Sequence, residues 1–190
     1  MEKKLTRDMR DRVILGIDPG TNIMGYGVVK GDKKGPLLLD LGIIDLHKIK
    51  DPYKKLEAIF NETIILIDKY NPTDLAIEAP FYGRNIQSML KLGRAQGTAI
   101  SAAIFKSVDI FEYAPRKIKM SITGTGSASK EQVAVMLGKM LDFPMITKNL
   151  DATDGLAAAV CHYYQDNSRK IIPQYKNWKS FLKNNPDRIC

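Results

Sequence analysis

The chain has 190 residues, with 29 Lys and Arg against 21 Asp and Glu, a net charge of +8 and a pI near 9.4. That length fits one compact domain with a few residues to spare at the ends, and the basic balance suits a phosphate-rich partner without proving one. Two cysteines, Cys161 and Cys190, exclude a disulfide framework and a thiolate zinc site; with no secretory signal core and no stretch of roughly eighteen apolar residues, a soluble, cytoplasmic protein off the membrane is expected.

Val13 to Ile17 reads as an interior strand ended by Asp18-Pro19-Gly20. Gly25 to Val29 predicts a hairpin partner, and Leu37 to Asp45 a third strand after the turn-rich Gly31-to-Pro36 connection. The period then changes. Asp51 caps and Pro52 opens a helix in which Leu56, Ile59, Phe60, Thr63, Ile64 and Ile67 recur at helical spacing, up to Asn71-Pro72. Leu75 to Glu78 is a short strand. Asn85 to Ile104 predicts a long helix whose Gly93 and Gly97 let it lie close against a sheet or another helix. Val108 to Tyr113 predicts a fifth strand, and a loop containing ITGTGSAS leads to a capping box of Ser129 and Gln132. The helix that follows places Val133, Met136, Leu137 and Met140 on one face, and the last helix starts near Asp151 and runs through GLAAAV. Three strands, a crossover helix and then alternating strand and helix make an α/β pattern with a mixed sheet. The expected organisation is an N-terminal extension over 1–12, one domain over 13–165 and a basic tail over 166–190 anchored by Trp178 and Phe181.

Asp18 and Glu78 both close apolar strands, at the sheet edge where ligands bind in open α/β folds. An Asp before Pro-Gly equally serves a turn through its own backbone, so both roles stand on local grounds. Asp151 and Asp154 lie three apart on one face of a helix's first turn, where capping and dipole complementarity compete with a ligand role. Gathered in one cleft, four carboxylates would repel: two unit charges 4 Å apart at an effective dielectric near 20 interact by about 4 kcal/mol. Such a cluster needs cations, and all-oxygen ligation selects Mg²⁺ or Mn²⁺, with His47 and His162 the only imidazoles. Two such ions about 4 Å apart align a water nucleophile and stabilise the departing oxygen of a phosphodiester, which is nuclease chemistry. No Walker A loop, GxSxG elbow or HExxH pair occurs. The Gly124-to-Lys130 stretch either cradles a backbone phosphate or is a plain connection, and Arg116, Lys117, Lys119 and Lys130 make a basic patch about it.

GIDPGTNIMGYGVV at 16–29, AIEAPFYGRNIQSMLKLGRAQG at 76–97, YAPRKIKMSITGTGSASKEQV at 113–133 and DATDGLAAAVCH at 151–162 together resemble the RuvC family of Holliday-junction resolvases. The resemblance covers most of residues 13–163 and implies a ribonuclease H-like fold with a mixed five-stranded sheet, acting as a homodimer on four-way junction DNA in recombination and repair. It implies divalent ions, Mg²⁺ with Mn²⁺ as a substitute and two per site, on Asp18, Glu78, Asp151 and Asp154. It matches Phe81 to an aromatic near the cleavage point, Lys119 and Lys130 to DNA-contacting lysines, and the bacterial branch-migration complex to a partner. Pro80 departs from the pattern and puts the geometry of the loop at Phe81 in question. Three other readings compete: a ribonuclease H-like nuclease acting on structured RNA, a junction-binding module without cleavage, and an actin-like nucleotide-binding fold. The last needs two domains, and the chain is too short for them.

Overall fold

The computed structural model describes residues 12–32, 35–80, 85–144 and 150–169. Its elements follow in the order β1 (Val13–Asp18), β2 (Ile23–Asp32), β3 (Gly35–Asp45), α1 (Pro52–Tyr70), β4 (Asp74–Glu78), α2 (Ile86–Phe105), β5 (Asp109–Tyr113), α3 (Pro115–Thr123), α4 (Lys130–Leu141) and α5 (Leu150–Arg169). The sheet order is β3-β2-β1-β4-β5. Short connections make β1, β2 and β3 antiparallel neighbours, whereas β1 reaches its parallel partner β4 only through the long excursion that contains α1.

Both faces of the sheet's centre are covered, which is why β1 and β4 read as apolar runs. Leu15 and Ile17 of β1 and Leu75 and Ile77 of β4 pack with Ile59, Leu66 and Ala99 of α1 and α2. Ile14 and Ala76 point the other way, into a core shared with Ile118, Val133, Leu137 and Leu156 of α3, α4 and α5. Strand alternation therefore carries Asp18 and Glu78 to the side of the sheet on which α5 lies. The register Gly16↔Ala76 and Ile17↔Ile77 brings the two acids to neighbouring strand ends.

The small residues of α5 let it sit directly on the backbone of the sheet. A Cβ at Gly16 would lie 2.2 Å from the Gly155 carbonyl oxygen, and one at Gly27 would lie 2.4 Å from Leu156 Cα. The close approach expected of Gly93 and Gly97 is not made within the chain: a Cβ at either would meet nothing within 4 Å. Both lie on a part of α2 turned from the sheet, whose contacts go through Ala95, Ala99 and Ala103 instead. Met136, expected inside, is 40% exposed, because Val133, Ala134 and Leu137 take up the face of α4 that meets the core.

Caps and turns fix the helix ends. Asp51 accepts from the N–H groups of Tyr53 and Lys54, with Pro52 in the first turn, and α1 stops at Asn71 in the left-handed region with φ 47°. The Ser129 and Gln132 capping box forms as expected. Helix α3 was not expected from periodicity, since its nine residues offer only Ile118 and Ile122 as buried positions. Pro115 opens it and Gly124, at φ 77°, closes it.

Polar side chains are also buried beside the sheet. Asp74, 1% exposed, accepts from Arg12 Nε at 2.7 Å and from the Thr73 hydroxyl at 2.9 Å. His162 of α5 stacks on Phe111 at 4.2 Å between ring centroids, and its Nδ1 is 2.7 Å from the Tyr113 hydroxyl. His162 is thus a core residue, while His47 is exposed and bonded to Asp45.

Candidate active site

Three of the four expected acids come together at the C-terminal edge of β1. Asp18, Asp151 and Asp154 can each place one carboxylate oxygen within 4.8 Å of the others. Glu78, from the adjoining strand end, adds its charge to both Asp18 and Asp154. The local reasons are legible. Asp18 is the last residue of a buried strand, Glu78 the last of the next, and Asp151 and Asp154 open α5 where Gly25 and Gly155 let it touch β2.

Burial and mutual repulsion govern the protonation of this cluster. Asp18 is pushed up to about 8, first by burial and then by Glu78 and Asp154, against an opposing pull from Lys130. Glu78 is pushed up to about 7 by burial and by Asp154, with Lys130 and Lys119 opposing. Burial also raises Asp154, although Lys130 draws it back. The Lys130 ammonium is 3.1 Å from Asp151 Oδ1 and forms an ion pair with Asp154 Oδ2. Burial lowers the Lys130 pKa, but the two aspartates outweigh it and hold the ammonium well above the ordinary lysine value.

The ion pair leaves Asp154 Oδ2 buried without a well-directed hydrogen bond. Aspartate oxygens gathered from a strand end and one helix turn make an all-oxygen donor set that fits a hard divalent cation, and no imidazole or thiolate is in the group.

The basic residues divide. Lys119, on α3, acts on Glu78 and Asp154, so it and Lys130 belong to the acidic cleft. Lys117 instead lies over the Tyr113 ring, 5.2 Å from its centroid, and the Arg116 stem packs on Gly126. Phe81 lies outside the described residues.

Two positioning residues had escaped the sequence reading. Lys55 of α1 donates to the Thr21 carbonyl at 2.7 Å and to Asn22 Oδ1 at 2.8 Å, tying down the turn that leaves Asp18. Gln96 of α2 donates to the Glu78 carbonyl at 3.3 Å and to Glu112 Oε2 at 2.9 Å. A glutamine between Ala95 and Ala99 on a buried helix face was the available signal for the second; a lysine in an amphipathic first turn carries none.

Residues 14–162 match the family described as crossover junction endodeoxyribonuclease RuvC. The chain is 55% identical over 179 residues to the crossover junction endodeoxyribonuclease RuvC of Christiangramia forsetii, covering 94% of this chain and 93% of that one. The chain belongs to the RuvC family. Its fold agrees with the Thermus thermophilus RuvC structure at a TM-score of 0.72 and 28% identity, over 82% of this chain and 96% of that one. The T. thermophilus RuvC structure in complex with Holliday junction substrate also gives 0.72, at 25% identity and the same coverage. The expected ribonuclease H-like architecture, a mixed five-stranded sheet flanked by helices, is the one observed. Among the described residues of this RuvC family member, no helix is long and apolar enough to cross a membrane.

Proposed function

We propose that the protein is a metal-dependent, structure-specific endonuclease of the cytoplasm that resolves four-way DNA junctions by paired symmetric nicks. Asp18, Glu78, Asp151 and Asp154 are its catalytic, metal-holding residues, with Mg²⁺, or Mn²⁺ in its place, and two ions per site. The observation that carries this reading is the meeting of Asp18, Asp151 and Asp154 oxygens within 4.8 Å in a chain of the RuvC family. When bound, such ions supply Lewis-acid stabilisation of the phosphodiester and a more acidic water. The chain's own part is to hold four carboxylates in a fixed arrangement on two strand ends and one helix. Lys119 and the half-exposed Lys130 present positive charge at the mouth of the same cleft, where a scissile phosphate must arrive. Phe81 is assigned to the DNA near the cleavage point on the strength of the family resemblance. Arg116 and Lys117 are left with a secondary part in DNA binding.

Two coordinated cuts need two such clefts, and a homodimer provides them. This is supported by a stripe on α2 formed by Ile86 at 69% exposure, Leu90 at 54% and Ile104 at 63%, with Gly93 and Gly97 open between them. The branch-migration complex is the partner that the family resemblance implies. The test is incubation of the protein with labelled four-way junction, linear duplex and single strand, first with Mg²⁺ and then with EDTA. Symmetric nicks confined to the junction and abolished by EDTA are expected; cleavage without metal, or no cleavage, would overturn the reading. Preferential cutting of an RNA duplex would favour the structured-RNA alternative.

A further inference from the structure

A cleft of about 760 Å³ opens between the first halves of α1 and α2, outside the acidic cluster. Thr21 and Asn22 form one wall, so it adjoins the turn that leaves Asp18. Its floor is apolar, with Leu56 and Ile59 from α1 and Leu92 and Ala95 from α2. Lys50, Lys55, Lys91 and Arg94 stand around it, and no carboxylate is among the described residues that line it. Lys55 is committed to Thr21 and Asn22, which leaves Lys50, Lys91 and Arg94 to face a ligand. At the rim stands Tyr53, 75% exposed although aromatic.

An exposed aromatic ring beside a basic groove is the arrangement that binds unpaired nucleic acid, because every base has a face to stack and every nucleotide a phosphate to neutralise. The volume suits a nucleotide, and the uniform sign of the rim selects an anion. Leaving the helix costs least where stacking is weakened, as beside the exchange point of a four-way junction, where the strands part. We propose that this cleft is a subsite for one unpaired nucleotide of the junction, with its base stacked on Tyr53 and its flanking phosphates held by Lys50, Lys91 and Arg94. The proposal rests on the junction-nuclease reading and adds to it a way of telling a junction from a paired duplex.

Tyr53 can be changed without disturbing the helix start, since Asp51 Oδ1 binds its backbone N–H at 2.7 Å rather than its ring. Binding of the full chain to a labelled four-way junction and to a duplex of the same arm sequence is measured in EDTA, so that nothing is cut. Tyr53→Ala should weaken junction binding about 5- to 150-fold while duplex binding stays within about twofold, and Tyr53→Phe should restore it. Lys91→Ala with Arg94→Ala should lower the salt slope for the junction by about 1.4, the value for two phosphates on a single strand. 5-Iodouracil placed at the exchange point should crosslink to the α1 peptide that contains Tyr53. Unchanged junction affinity in Tyr53→Ala, equal losses on junction and duplex, or a crosslink that maps away from α1 would each overturn the subsite. A wild-type protein that does not prefer junction to duplex would overturn the parent reading as well, and the same titration distinguishes the two failures.

Discussion

Gly25 of β2 touches Asp151 of α5 so closely that a Cβ on the glycine would lie 1.8 Å from the Asp151 carbonyl oxygen. The contact seats the first turn of α5, and with it the Asp151 and Asp154 carboxylates, against the strand that pairs with Asp18. Gly25→Ala cannot be absorbed by a side-chain shift, because the clash is with backbone. Metal-dependent junction cleavage is expected to fall at least about tenfold, with destabilisation of about 1–3 kcal/mol. Cleavage rate and urea denaturation, measured together, check this; a variant with normal cleavage would show that α5 can move without displacing its acids.

Asp18→Asn should separate stability from activity, and the sign depends on pH. Asp18 is raised from 3.8 to about 8 and Glu78 from 4.5 to about 7, so the folded chain holds protons that the unfolded chain releases. Without metal, this pair costs nothing below about pH 4 and progressively destabilises the fold as pH rises toward 8. In EDTA the variant should therefore melt above wild type at pH 8 and converge with it near pH 4, each kcal/mol of relief being worth about 2–4 °C. Mg²⁺ should raise the melting temperature of wild type more at pH 8 than at pH 6, since loading displaces those protons. Cleavage by the variant should collapse at every pH. An equal melting difference at pH 4 and pH 8 would contradict the assignment.

Lys119→Ala should weaken junction binding for all sequences and reduce the salt slope by about one charge. Lys130→Ala should do the same and also lower the metal-free melting temperature, because it strips the ion pairs from Asp151 and Asp154. Gel-shift titration at several salt concentrations, paired with melting curves, separates the two lysines. Identical melting behaviour would indicate that the Lys130 ion pairs contribute nothing to the fold.

The Arg12 and Asp74 pair belongs to stability. Burial raises Asp74, but His162, Arg12 and Thr73 outweigh it and bring the carboxyl down to about 2. Its stabilisation is complete above the unfolded value of 3.8 and is lost as pH falls toward 2. Arg12→Met leaves a buried charge short of a partner and should cost about 3–5 kcal/mol at neutral pH. That gap should narrow on acidification, as urea denaturation at pH 7 and pH 3 would show; a constant gap would point to lost packing instead.

Leu90→Arg tests the proposed homodimer. Sedimentation equilibrium of wild type at micromolar concentration should show about twice the 21.3 kDa chain mass, and the variant should run as a folded monomer with its circular dichroism spectrum unchanged. A monomeric wild type, free and on the junction, would remove the α2 stripe from consideration as an interface.

Local chemistry decided much of this protein before the chain was folded. Asp51-Pro52 and Ser129-Lys-Glu-Gln132 start their helices through contacts within one turn, so capping residues suffice to place them. The apolar runs that end in Asp18 and Glu78 specify interior strands with a charge at one edge. Tertiary structure decided what depends on residues far apart in sequence. The approach of Asp151 and Asp154 to Asp18 is set by glycines of β1 and β2 meeting Gly155 across the sheet, a contact that no helical or strand period records. The same seam explains why Gly93 and Gly97 remain open: α5, not α2, makes the close approach, and a glycine pair reads identically whether its notch is filled within the chain or left facing outward. Lys130 likewise looks like a solvated first-turn lysine until the fold sets two aspartates from another helix around its ammonium. Sequence settles which groups are present and how each short segment bends, because those are nearest-neighbour energies; the distances among charges, and so their protonation, follow only from the packing of whole elements.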